Sequence, residues 1–266
     1  MTAVVALESR YRDVLARVDR AARVSGRTGA DVMVVAVSKY AGLDEIRELL
    51  RLGHQDFGES RALQLEQRAA LVGEMLERRH AMPDVDDREG LPIAFPDHVR
   101  WHMIGHLQRN KVKKVAPVAR LIHTVDSLRL VEELQSYAVK RDTDIDVLVQ
   151  VNCSGEEQKH GCPVAACHAM CEQIDLTGNL RVRGLMTMAA NTPDEDEVRS
   201  TFRRCAELFE EIGTSGLGDG RFNILSMGMS GDFELAVEAG ANVVRVGSAI
   251  FGGHLPGDDE EQPEEG

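Results

Sequence analysis

Eight short β-like runs alternate with amphipathic helical stretches along this chain. The runs are VMVVAVS (32–38), QDFGE (55–59), RWHMIG (100–105), LIHTVD (121–126), DVLVQVN (146–152), LRVRGLMTM (180–188), FNILSMG (222–228) and NVVRVGS (242–248). Between them, segments such as LDEIRELLRLG, SLRLVEELQSYAVKR and DEDEVRSTFRRCAELFEEIG repeat apolar residues at i, i+3 and i+4, the period of one helix face. A strand–helix unit repeated in this way predicts an α/β fold, a (β/α)8 TIM barrel, which typically takes about 250 residues. The chain has 266. A doubly wound open sheet competes, and the lack of a G-x-G-x-x-G turn after the first run weakens it.

The opening stretch, MTAVVALESRYRDVLARVDRAARVSG, places acids and arginines at helical spacing and predicts an N-terminal helix. Residues 1–256 read as one domain. Residues 81–98, rich in proline and acids, read as a surface insertion, and GDDEEQPEEG (257–266) as a disordered acidic tail.

Charge and cysteine content narrow the function. A net charge of −13 argues against nucleic-acid or anionic-membrane binding, both of which need basic surface. No apolar stretch approaches the roughly 20 residues that span a bilayer, and the first residues do not resemble a signal peptide. Five cysteines, an odd number, suit reduced thiols, so a cytoplasmic location is expected. Cys162, Cys167 and Cys171 are expected to be thiols rather than zinc ligands, because their spacing lacks paired C-x2-C units. No metal site is expected.

In a barrel the working face lies at the C-terminal ends of the strands. Lys39 stands there after the first run, where a partly desolvated amine can attack a carbonyl and form a Schiff base. A solvated lysine opening a loop is the plainer reading. At the other end of the chain, SMGMSGDF places Ser230 and Gly231 just before a helix starting near Asp232, and RVGSAIFGG places Gly247 and Ser248 after the eighth run. Two glycine–serine turns at the positions where barrels hold phosphate point to an anion cradle. Closure makes the eighth strand a neighbour of the first, so Lys39 and the cradle share one side of the rim. A single molecule with an aldehyde and a phosphate would bridge them, and pyridoxal 5′-phosphate is the obvious candidate.

Side-chain alternation puts Val243, Arg245 and Gly247 on one strand face. Arg245 should then point inward, either near the ligand ring or into a structural salt bridge. Beside a pyridine nitrogen, an arginine discourages its protonation and leaves the ring a weaker electron sink.

The motifs AVSK, FGES, WHMIGHLQRNK, HTVDS, RGLMTM and LSMGMSGDFELAVEAGANVVRVGSAIFG, in order from about residue 32 to 253, resemble the YggS/PROSC family of pyridoxal phosphate homeostasis proteins. That resemblance implies the barrel of alanine racemase without its second, β-rich domain, and cofactor binding without an established catalytic activity. It implies Lys39 as the Schiff-base residue, Ser230, Gly247 and Ser248 as phosphate contacts, and Arg245 at the pyridine nitrogen. The family usually carries GEN after the second strand; here the triplet is GES, so Ser60 stands at a cofactor-proximal position. Asn152 is expected to face the rim.

The expected function is therefore that of a carrier or regulator of pyridoxal phosphate, a monomer or weak dimer, with apoenzymes that use the cofactor as partners. Racemisation needs a second proton-transfer group facing the cofactor, and one barrel uses up this chain. A racemase-like enzyme that borrows that group from a dimer partner is the first rival. A Schiff-base aldolase acting on a phosphorylated sugar is the second.

Overall fold

The computed structural model describes residues 2–81, 95–156 and 158–252. Its barrel strands are β1 (Met33–Val37), β2 (Asp56–Glu59), β3 (Arg100–Met103), β4 (Ala119–Val125), β5 (Ile145–Asn152), β6 (Leu180–Met186), β7 (Ile224–Ser226) and β8 (Val243–Val246). All are parallel, each pairs with the next, and β8 pairs with β1 through Val35 opposite Arg245. The sheet is closed, as the alternation predicted, and all eight strands fall on the expected runs. Much of the expected insertion (82–94) and the whole acidic tail (257–266) lie outside the described residues.

The helices are α1 (Thr2–Val24), α2 (Leu43–Arg51), α3 (Ala62–Ala81), α4 (Val112–Val115), α5 (Leu128–Arg141), α6 (Val164–Asp175), α7 (Glu195–Thr214), α8 (Phe233–Glu238) and α9 (Ser248–Phe251). The strands are rich in valine because each buries its outer face under a helix, and β-branched side chains pack well on a pleated surface. Val34 and Ala36 of β1 and Val244 and Val246 of β8 share a core with Leu7, Val14 and Val18 of α1. Val147, Val149 and Val151 of β5 pack with Leu134 of α5, Cys167 and Cys171 of α6 and Phe202 of α7. Each such aliphatic or aromatic side chain stabilises the fold by about 1.5–3 kcal/mol when fully buried. Among the described residues no helix is long and apolar enough to cross a membrane.

The inner face of the barrel is different. Leu121, Leu148 and Met186 form one small apolar cluster there. Asp56, His102, His123, Ser226 and Arg245 are also buried. A barrel interior is ordinarily filled by branched aliphatics, so these polar groups must find partners within it.

Backbone approach decides one further position. Gly184 of β6 has φ of +145°, and a Cβ there would sit 1.9 Å from the Ile224 carbonyl oxygen of β7. Gly184→Ala is expected to destabilise the protein by about 3–4 kcal/mol, read as a lower urea midpoint in equilibrium unfolding.

Candidate cofactor site

Lys39 follows β1 at its C-terminal rim, where sequence placed it. Its neighbour Ser38 is fully buried and donates from Oγ to Glu59 Oε1 at 2.7 Å. Arg68 of α3 pairs with the same oxygen at 3.0 Å. Burial raises the Glu59 pKa, opposed by Ser38 and Arg68. This cluster ties the ends of β1 and β2 together and leaves Lys39 half-buried, its ammonium 4.8 Å from the centre of the Tyr40 ring.

Across the β8–β1 seam, a Cβ at Gly247 would lie only 3.3 Å from Cβ of Val37, two residues before Lys39. Having no side chain, Gly247 lets the turn into α9 lie against β1. The N–H groups of Gly247 and Ala249 donate to Ser230 Oγ at 3.0 and 3.3 Å. The loops after β7 and β8 therefore meet, with two backbone donors aimed at one oxygen. A phosphate oxygen is a stronger acceptor than a hydroxyl and satisfies such a pair better. Ser248 lies between the two donors and is exposed.

Arg245 points into the barrel, as the strand alternation required. Its Nη1 donates to Ser226 Oγ at 2.7 Å and its Nη2 to the Thr187 carbonyl at 3.0 Å. Both partners are neutral. Burial pushes its pKa down to about 10, countered by Asp232, so the guanidinium is charged at neutral pH.

Ser226 extends this contact across the barrel. His123 Nδ1 lies 3.0 Å from Ser226 Oγ, and His123 Nε2 lies 3.0 Å from His102 Nδ1. His102 Nε2 is 3.2 Å from Asp56 Oδ1, whose carboxylate also takes two bonds from Arg100 at 2.7 and 2.6 Å. Burial, then the charges of His102 and Arg245, holds the His123 imidazole well below its ordinary range. Burial would raise the Asp56 carboxyl, but the hydrogen bonds from Arg100 and His102 hold it well below the usual carboxylate range.

Arginine only donates and a carboxylate only accepts, which gives one direction of donation along the chain that satisfies both ends with His123 neutral. Ser226 O–H donates to His123 Nδ1, His123 Nε2–H to His102 Nδ1, and His102 Nε2–H to Asp56. The two histidines thus position Arg245. The strand alternation that turned Arg245 inward also turns His102 and His123 inward, and it was the available signal.

The remaining expected residues divide. Ser60 sits at the rim between the ends of β2 and β3; a Cβ at Gly105 would lie 2.1 Å from the Ser60 carbonyl oxygen, which fixes its backbone. Asn152 serves the β5 loop instead. Its Nδ2 donates to the carbonyls of Glu156 and Lys159 at 2.8 and 3.5 Å, and its Oδ1 accepts from Ser154 Oγ and Gly155 N at 3.1 and 3.0 Å. Both of its polar atoms are occupied by the loop. Cys162, Cys167 and Cys171 are buried free thiols.

Two backbone N–H groups converge on the Ser230 hydroxyl, with the buried Arg245 guanidinium on β8 and Lys39 at the end of β1. This set fits a phosphate ester that carries an aldehyde. A model of the family "Alanine racemase, N-terminal domain" matches residues 15–255. A "Pyridoxal phosphate homeostasis protein" from Aquifex aeolicus is 34% identical over 247 residues, covering 91% of this chain and 96% of its own.

The chain belongs to the pyridoxal phosphate homeostasis family, within the alanine racemase N-terminal domain fold.

A second family member, from Pseudomonas aeruginosa, is 34% identical over 239 residues, covering 90% of this chain and 92% of its own. Among solved structures, PipY of Synechococcus elongatus with PLP bound is similar at a TM-score of 0.69 and 28% identity, covering 90% of this chain and 100% of its own. An alanine racemase from Clostridium difficile, 16% identical with a TM-score of 0.62, shares the fold over 54% of its length. The family motifs lie where the geometry collects donors: AVSK at the end of β1, GMS after β7 and VRVGS at the end of β8.

Proposed function

We propose that this chain binds pyridoxal 5′-phosphate, held covalently at Lys39 Nζ, and acts in its homeostasis or delivery without catalytic turnover of its own. The observation that carries the reading is the Gly247 and Ala249 N–H pair converging on Ser230, packed against β1 two residues from Lys39. In this reading Ser230, Gly247 and Ser248 hold the phosphate, and Arg245 faces the pyridine nitrogen. Ser60 lies near the cofactor, and Asn152 acts through the loop that it shapes.

When bound, the cofactor supplies an aldehyde for amines and an electron-withdrawing ring. The protein's part is to orient and moderate it. A charged arginine locked by Ser226 and Thr187 is too weak an acid to protonate the ring nitrogen, and its charge disfavours a pyridinium beside it, which weakens the ring as an electron sink. Residues 1–256 act as one cofactor-binding domain, in the cytoplasm, as a monomer or weak dimer. Apoenzymes that require the cofactor are its recipients. The names of the relatives, matched along nearly their whole lengths, support the non-catalytic role.

The test is the near-ultraviolet and visible absorption of the purified protein, then borohydride reduction, peptide mapping and a panel of amino acids. A reducible adduct at Lys39 with no amino acid consumed is the expected result. Turnover of one amino acid would make the chain a racemase-like enzyme, and no pyridoxal signal after adding the cofactor would sink both readings. Ser230→Ala combined with Ser248→Ala is expected to raise the dissociation constant of the cofactor about tenfold or more, since each hydrogen bond to a charged group is worth about 1.5–3 kcal/mol. Equilibrium dialysis reads the change, and unchanged retention would mean that the phosphate sits elsewhere.

A further inference from the structure

Three loops at the C-terminal rim bring together side chains that the cofactor reading does not use. His106 follows β3, Asp126 follows β4 and His160 lies in the loop after β5. One ring nitrogen from each histidine and one Asp126 oxygen all lie within 4.8 Å of one another. His106 Nδ1 is 3.4 Å from Asp126 Oδ2, and His160 Nδ1 is 4.0 Å from the same oxygen. The two rings are stacked, with centroids 4.3 Å apart and planes 15° from parallel.

We propose that His106, Asp126 and His160 form a binding site for a divalent first-row transition ion, of which zinc fits best. Zinc takes imidazole nitrogen and carboxylate oxygen at about 2.0–2.2 Å in a tetrahedron, so its ligand atoms stand about 3.3–3.5 Å apart. The His106–Asp126 edge already has that span, and the His160 edge closes to it with a shift of about half an ångström. Both rings are exposed, with side chains 39% and 44% accessible. Binding one ion requires the stacked rings to turn about χ2 so that a nitrogen of each faces the Asp126 carboxylate. Imidazole with carboxylate suits zinc and its neighbours, whereas magnesium and calcium prefer all-oxygen sets.

The backbones beneath these ligands are held. Thr124 Oγ1 donates to the carbonyl of Gly105, beside His106, at 2.7 Å. Gln150 Nε2 donates to the carbonyl of His160 at 3.1 Å. Both donors are buried strand residues, so the two histidine loops are clamped to the barrel. Asp126 is the floor of the site, its side chain only 12% accessible, and it takes a further hydrogen bond from Ser127. Two exposed rings above this more sheltered carboxylate leave the fourth coordination position open to water, the arrangement of a site that can accept a further ligand.

The site does not depend on the cofactor reading, and its test has its own readout. Titration of Zn2+ into the full-length protein, followed by calorimetry, is expected to saturate at one ion per chain. Asp126→Asn and His160→Gln are each expected to weaken binding about tenfold or more, and His106→Gln combined with His160→Gln to abolish it. Co2+ serves as the optical probe and is expected to give d–d bands without a sulfur-to-cobalt charge-transfer band. Undiminished affinity in the double variant, a charge-transfer band showing that thiolates take the ion, or no saturable binding to the wild type would each overturn the site. Both histidines are exposed, so the variants should fold; the wild-type cobalt spectrum decides the matter if they do not.

Discussion

Lys39→Ala is expected to abolish the covalent pyridoxal adduct completely while leaving the barrel folded. The loss is complete because the attachment needs a primary amine at that place. The six lysines are Lys39, Lys111, Lys113, Lys114, Lys140 and Lys159, and Lys39 follows Val37, against which the Gly247 turn that donates to Ser230 packs. The fold survives because Lys39 is only half-buried, and the attraction of its ammonium to the Tyr40 ring is worth about 0.5–1 kcal/mol at an exposed site. Ser38 and Glu59, which join β1 to β2, are untouched. Phosphate contacts remain, so the variant is expected to hold the cofactor weakly and reversibly. Borohydride reduction with peptide mapping checks the first part and thermal unfolding the second. A reducible adduct that persists in Lys39→Ala would move the attachment to another lysine.

Mild acid is expected to destabilise the protein steeply, because two buried histidines are kept neutral. His54 receives the Tyr11 hydroxyl at Nδ1, 3.1 Å away, and gives its Nε2–H to the Asp56 carbonyl at 2.7 Å. His123 sits between Ser226 and His102. Burial is the first cause that holds each below the ordinary value of 6.5. The unfolded chain therefore takes up these protons first. Stability from both groups is complete above pH 6.5 and is lost as pH falls below it, at up to about 1.4 kcal/mol per pH unit for each histidine.

Glu59 and Asp232 act in the opposite sense, since burial raises both and protonation of each favours the folded state. Asp56 adds a further loss only below its unfolded value of 3.8. The histidine loss thus begins below pH 6.5, well above the range in which Asp56 contributes. Urea unfolding is expected to show stability falling between pH 7 and 5, at no more than about 1.4 kcal/mol per pH unit for each ring. His123→Gln should lower stability at pH 7 and roughly halve that slope. A flat profile in the wild type would mean that neither ring is kept neutral by burial.

Much of the candidate site was legible in sequence because its signals are local. Lys39 and Ser230 each follow a β-like run and Gly247 and Ser248 end one, and a barrel places the residues at the ends of its strands on one rim. Arg245 was legible for a second local reason, the two-residue alternation of a strand. For Asn152 the same logic gives a place at the rim, but the sequence does not say that the carbonyls of Glu156 and Lys159 fold back onto its amide. His102 and His123 went unassigned because their partners come from other strands. Asp56 is 46 positions from His102, and Ser226 is 103 from His123.

The eight strand–helix units, their closure into a barrel and the rim that carries Lys39 and the glycine–serine turns at Ser230 and Gly247 all follow from residue order alone. Hydrophobic periodicity and glycine turns are properties of a few consecutive residues, and they survive without knowledge of what lies opposite. Folding in three dimensions was needed to settle which buried polar groups share protons along the axis, and to bring His106, Asp126 and His160 together above the rim. Those contacts join loops 20 or more residues apart, and their geometry exists only after the sheet has closed.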